Sequence, residues 1–350
     1  VNKSFFKLLL ILFLGCNTKQ KVDFPSNCLE PDFKPVLITD IVHEIRPAFK
    51  DFGFKLKETS DNGFVLFIPF WGDAYKFSNG GKLEWKASFN SKSLSENKER
   101  INNIMGTTPD FDVFDNRIYF LQSNESIFVY DLKGNEIRNF PIDIPGLTTE
   151  NIEVLNEVEL IVGGIMVDQG LASLNFFKID VPSNTKVLIK KIDFDAESTP
   201  ILVNLNSEKA HILGDRDSYI NELDLVDKSI EKIDFTPSRT RDYNKYSIPN
   251  NVDYFSLTEE EKRQYRNDKT KRFVINGSDI LIFHEIVNRG NDIDQSYNFL
   301  LTKHGFSKGG VNEKFDVDWG IDFDECGNIF HIENMDGDYF IVRKTWEEID

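Results

Sequence analysis

Runs of four to eight residues in which apolar and polar side chains alternate recur along almost the whole chain. Asn, Asp, Gly and Ser separate them. Alternation with period two places one set of side chains on each face of a strand, so the pattern predicts an all-β protein. The runs group into units aligned on a central turn: Gly53–Phe89, Asp110–Asp143, Asn151–Phe194, Pro200–Phe235, Arg272–Phe315, and a last one from near Trp319. Each of the first five holds four short strands, A to D from the inside out. A four-strand unit repeating at this spacing predicts a β-propeller blade, because one twisted sheet cannot cover both of its faces unless neighbours stack on it. The last unit stops after three strands, while "KPVLITDIVHEI", Lys34–Ile45, is an unused strand at the other end. The expectation is a six-bladed propeller closed by this N-terminal strand, paired with Asp338–Lys344.

Residues 236–271 interrupt the pattern between the fourth and fifth units. Within them "SLTEEEKRQYRNDKTKR" carries the helix signals of the chain. Ser256 and Thr258 are N-cap candidates with Glu259 and Glu261 three residues on, and Lys269, Lys271 and Arg272 suit a last turn. Leu257 and Tyr265 are its apolar anchors, so the helix reads as a largely solvated insertion.

Composition supports a packed core. Hydrophobic residues make up 40% and charged residues 28%, which excludes a disordered chain. Phe (31 residues) far outnumbers Met (3), in keeping with strands. A net charge of −17 argues against a nucleic-acid partner, which needs a basic face.

The N-terminus "VNKSFFKLLLILFLGCN" has Lys3 and Lys7, an apolar run from Leu8 to Leu14, and Gly15-Cys16. A basic start before a short apolar stretch is an export-signal pattern, too short to span a bilayer. "FLGC" resembles the bacterial lipobox, with Phe13 where Leu is usual. That resemblance implies cleavage before Cys16, a lipid on its sulfur, and a domain held at the cell envelope by that anchor, in a periplasm or at the surface. The expected organisation is then signal peptide 1–15, tether 16–33 and propeller 34–350. Cys28 and Cys326 remain in the mature chain. Ring closure would bring Cys28 toward the blade holding Cys326, so a disulfide between them and two separate thiols are both open.

"GIDFDECGNIFHIENMDGDYFIV" (Gly320–Val342) and "DNRIYFLQSNESIFVYDLKGNEI" (Asp115–Ile137) share one order: apolar strand, Gly-Asn or Asp-Gly turn, apolar strand, polar turn, third strand. Both resemble the repeats of NHL-type and TolB-like six-bladed propellers, over about Gly53 to Val342. The resemblance implies the fold and an ambiguous activity, since such propellers include lyases, lactonases, receptors and scaffolds. The chain is most similar to the lipoproteins of unassigned role among them.

No nucleophile elbow, zinc-protease helix, phosphate loop or dinucleotide fingerprint is present. "DFDECGN" and "NMDGD" have the alternating Asp of a calcium loop without its terminal Glu, and hairpin turns use the same residues. His284 and His331 follow apolar B strands in neighbouring units, where with Glu285 or Glu333 they would make a transition-metal set. Half-buried strand histidines are the simpler reading. No cofactor is therefore expected. The B–C and D–A connections of a propeller open on one face, which would then carry Trp71, Asp73, Asp215, Arg216, His284, Glu285, Arg289 and Glu333, with the inserted helix beside them. An aromatic among charges suits a polar small molecule, a glycan or peptide, or a protein partner. Two classes follow: a non-catalytic binding or scaffolding module, and a metal-dependent hydrolase or lyase.

Overall fold

The computed structural model describes residues 33–43, 54–69, 72–88, 110–122, 126–168, 171–194, 201–206, 209–214, 219–234, 253, 256–258, 261–262, 265, 268–276, 279–287, 297–305, 310–315, 322–323 and 328–345. A two-residue strand, β1 (Val36–Leu37), opens this part of the chain. Blade 1 is β2 (Lys55–Glu58), β3 (Phe64–Ile68), β4 (Asp73–Phe77) and β5 (Leu83–Ser88). Blade 2 is β6 (Phe111–Phe114), β7 (Arg117–Gln122), β8 (Ser126–Asp131) and β9 (Glu136–Pro141). Blade 3, the longest, is β10 (Leu147–Val154), β11 (Glu159–Asp168), β12 (Leu171–Asp180) and β13 (Thr185–Phe194). Blade 4 is β14 (Ile201–Asn206), β15 (Lys209–Gly214), β16 (Tyr219–Asp224) and β17 (Ile230–Asp234). Blade 5 is β18 (Lys269–Asn276), β19 (Asp279–Val287), β20 (Tyr297–Gly305) and β21 (Gly310–Phe315). Blade 6 is completed by β22 (Asp322–Phe323), β23 (Ile329–Met335) and β24 (Asp338–Lys344).

Each sheet is four-stranded and antiparallel, and the sixth has the order β1-β24-β23-β22. The N-terminal strand thus closes the six-bladed propeller, with Val36 opposite Ile341 and Leu37 opposite Phe340. The closing element is shorter than the alternation in Lys34–Ile45 suggests. After Leu37 the chain turns, and residues 39–43 are helical, with Val42 N donating to Ile38 O at 2.9 Å. That turn drops Ile38, Ile41 and Val42 into the joint between blades 6 and 1, against Phe54, Leu56, Phe330 and Ile332.

The core consists of such joints. Val65 and Phe67 of blade 1 meet Phe111 and Phe120 of blade 2, while Tyr119 and Leu121 meet Ile152 and Leu160 of blade 3. Ile161 and Phe176 then meet Ala210 and Ile212, and Leu213 and Ile220 meet Ile280 and Ile282 of blade 5. Alternate residues of one strand serve opposite joints, which is why the period-two pattern persists through whole blades. Among the described residues no helix is long and apolar enough to cross a membrane.

Candidate functional site

The backbone register fixes where the connections emerge. Tyr219, the first residue of β16, lies opposite Asp234, the last of β17. The chain therefore leaves blade 4 after Asp234 at the end of the sheet where it enters β16. Inside the insertion Thr258 is the N-cap. Its Oγ1 accepts from Glu261 N at 3.3 Å, and Glu261 Oε2 accepts from Thr258 N at 2.8 Å. The helix does not run on to Lys269–Arg272. Those residues open β18, with Lys269 opposite Glu285 and Thr270 opposite His284. Pairing with β19 outweighs the local charge pattern that suits a helix end.

Trp71, Asp215, Arg216 and Arg289, with Cys16, Cys28 and Cys326, lie outside the described residues. The other four positions belong to strands rather than loops, because β19 and β23 continue past the points where their apolar runs end. Asp73 opens β4, and its Oδ2 lies 3.6 Å from Lys86 Nζ. His284 is fully buried on the same side of β19 as Ile280 and Ile282, so it faces blade 4. Its Nε2 is 2.6 Å from Thr302 Oγ1, which also lies 3.1 Å from His304 Nε2. Glu285, one residue on, is buried on the opposite side of the sheet. His331 shares a side of β23 with Ile329, away from Phe330 and Ile332, which pack on blade 1. His284 and His331 thus belong to different joints and do not share a metal site. Among the described residues no three His, Cys, Asp or Glu gather as such a set. Glu333 is bonded to Lys344.

The polar groups that do converge sit on the inner strands of blades 1 to 3. Lys55 and Lys57 share one side of β2 and reach blade 2, where Lys55 Nζ is 2.6 Å from Asp110 Oδ1 and Lys57 Nζ is 2.5 Å from Asp112 Oδ1. The second oxygen of each Asp reaches blade 3. Asp110 Oδ2 accepts from Ile152 N at 3.2 Å, and Asp112 Oδ2 accepts from Val154 N at 2.6 Å. β10 is the innermost strand of its sheet, so these amides lie on its free edge, toward the axis. An unpaired strand edge must be satisfied, and here two carboxylates satisfy it while anchoring two lysines. Burial works against the Lys57 ammonium, but Asp112, Glu153 and Asp110 outweigh it and hold its pKa above the ordinary lysine value. From blade 5, Arg272 Nη1 donates to Phe54 O at 2.5 Å. Asp112→Asn leaves either the Val154 amide or Lys57 facing an NH₂ group. The expected cost is about 2 kcal/mol, read as a lowered unfolding midpoint in urea with unchanged slope.

Glu150 completes the cluster. Thr149 pairs with Gly164 and Asn151 with Gly163, so Glu150 is the extra residue of a β-bulge. A bulge re-aims a side chain. Two glycines opposite the bulge let the chain pack closely there: a Cβ on Gly164 would lie 2.4 Å from Thr148 O, and one on Gly163 would lie 3.2 Å from Phe176 Cε1. Burial pushes the Glu150 carboxyl up to about 7, against the pull of the Lys55 ammonium. Alternation cannot reveal this residue, because "LTTENIEV" reads as the polar approach to a strand starting at Asn151. The available signal is Gly163-Gly164 within an apolar run, since paired glycines inside a strand mark a bulge or a close approach.

No protein-family model and no curated protein matches the chain. Among solved structures it is similar to a member of the DUF4221 family from Bacteroides vulgatus. That match has TM-score 0.49 and 12% identity, over 89% of this chain and 96% of that one. Virginiamycin B lyase from Staphylococcus aureus gives 0.46 and 9%, over 89% and 98%. The calcium-binding protein regucalcin from Agrobacterium tumefaciens gives 0.45 and 8%, over 90% and 93%. The propeller assignment here rests on the six sheets and their closure, and none of these likenesses bears on activity.

Proposed function

We propose that the chain is an envelope-anchored lipoprotein whose propeller binds a polar ligand, a sugar or peptide, without transforming it. The ligand enters the inner-strand mouth from the face shared by the B–C connections and the insertion. The observation that supports this reading is the cluster of Lys55, Lys57, Asp110, Asp112 and Glu150. Three successive inner strands bring these charged groups together at the axis; the sequence names Trp71, Asp215, Arg216 and Arg289 as further contacts for the ligand. Small-molecule sites in propellers gather at such an axial mouth. The lipobox-like "FLGC" supports the anchor, with Cys16 as the acylated residue.

A thermal-shift screen of glycans and peptides against the purified protein tests the binding reading. The expected result is a ligand that raises the melting temperature, with the rise reduced by Trp71→Ala and by Arg289→Ala. These changes should alter unliganded stability by less than about 1 kcal/mol. Turnover of the ligand, or a ligand whose shift both substitutions leave intact, overturns the reading. The anchor is tested separately, by loss of metabolically incorporated fatty acid in Cys16→Ala.

A further inference from the structure

The charges at the mouth are unequal. Among the described residues, Lys55 and Lys57 are set among Asp110, Asp112, Glu150 and Glu153, so this set is net negative when ionised. Most of these groups are already engaged. Lys55 and Lys57 lie on Asp110 and Asp112, and those carboxylates also hold the β10 edge. Glu150 differs: it makes no hydrogen bond or ion pair to a described residue, and it is the extra residue of the β10 bulge, close enough to Lys55 for that ammonium to act on its carboxyl. A partly buried carboxylate without a hydrogen-bonding partner is costly in charged form. An entering anion would add to the surplus charge, a neutral group would leave it, and a cation would cancel it.

We propose that Glu150 is the group by which the channel mouth recognises a ligand's primary ammonium, whether on an amino sugar or at a peptide N-terminus. The proposal rests on the binding reading above and narrows its ligand class. The ammonium donates to the Glu150 carboxylate beside the Lys55–Asp110 pair. Because the free carboxyl titrates at about 7, binding below that pH releases its proton to solvent, and affinity for an ammonium rises with pH until Glu150 is ionised.

Calorimetric titration of the purified protein with glucosamine, glucose, glycylglycine and N-acetylglycylglycine tests this. An amine member is expected to bind at least about tenfold more tightly than its uncharged counterpart. Its affinity is expected to rise about fivefold from about pH 6 to about pH 7, below the range in which the ligand amines themselves lose their proton. Glu150→Gln, which preserves shape, is expected to remove both effects. Glucosamine alone binding identifies an amino sugar, glycylglycine alone a peptide N-terminus, and either supports the proposal. Equal binding of amine and neutral members, a preference that survives Glu150→Gln, or no heat from either amine overturns it. Those results leave the broader binding reading in place, since that stands or falls on the screen and on the Trp71 and Arg289 variants.

Discussion

Deleting residues 1–45 is expected to unfold the propeller, not to trim a tail. Val36, Ile38, Ile41 and Val42 are each at most 8% exposed, wedged between blades 6 and 1. At about 1.5–3 kcal/mol for each buried aliphatic, their loss removes roughly 6–12 kcal/mol. A domain is stable by about 5–15 kcal/mol in total. The deletion also removes backbone and side-chain ties to β24: Ile38 N donates to Tyr339 O at 2.8 Å, and Tyr339 N donates to Thr39 Oγ1 at 3.0 Å. Beyond the lost contacts, the ring opens, and two blade faces that had covered each other meet water. Circular dichroism on heating is the measurement. The deleted protein should lack a cooperative transition, while Ile38→Ala in the full chain should keep one, lowered by about 2–5 kcal/mol. A deletion variant that melts within a few degrees of the parent means that β1 and the turn after it are dispensable, and sinks the closure argument.

That closure was legible from the sequence because propeller repeats leave a remainder when they are circularly offset. A last unit of three strands and a spare strand at the start have one economical solution. The blade strands were legible for a related reason. In β7, "RIYFLQ", residues facing the two joints are both apolar, and the turn before it, Asp115-Asn116, and the one after β8, Lys133-Gly134, supply the conformations that a tight turn needs. Local signals failed where a partner from elsewhere decides the outcome. "KTKR" at Lys269–Arg272 has the charge of a helix terminus, and only its pairing with β19 makes it a strand. "LTTE" at Leu147–Glu150 lacks an apolar period, and its strand exists because blade 3 has an unusually long β11 to pair with. The site was half legible. Asp73, His284, Glu285 and Glu333, expected in connections, are strand residues. In the sequence Asp110 and Asp112 look like any polar positions of an alternating strand. Their role depends on the free edge of β10, some forty residues later, which no local pattern encodes.

Acidification provides the second large effect, through a residue the binding reading does not use. His331 sits in the joint between blades 5 and 6 with its side chain 8% exposed. Burial, reinforced by the Lys344 ammonium and only partly offset by Glu333, lowers its pKa from 6.5 to about 4. Neither ring nitrogen has a hydrogen-bond partner among the described residues. Between about pH 6.5 and pH 4 the unfolded chain therefore binds the proton and the folded chain does not, so stability rises with pH across that window. The contribution is complete above the unfolded pKa and is lost as pH falls to the folded one. The shift corresponds to about 3 kcal/mol. His211, whose pKa burial also lowers in spite of Glu222, acts in the same direction. Glu150 acts in the opposite one, because its raised pKa makes the folded state take up a proton first and removes stability as pH rises from about 4.5 to 7. The parent's pH profile sums these opposing contributions, so the informative quantity is a difference. Urea unfolding of the parent and of His331→Leu from about pH 7 to pH 4 should show the variant losing about 3 kcal/mol less over that range. Lys344→Met should give part of the same relief, since it removes the neighbouring positive charge while His331 stays in place. Parallel profiles for parent and His331→Leu would mean that the joint admits water or rearranges when the imidazole is charged, and that burial between blades 5 and 6 does not govern its titration.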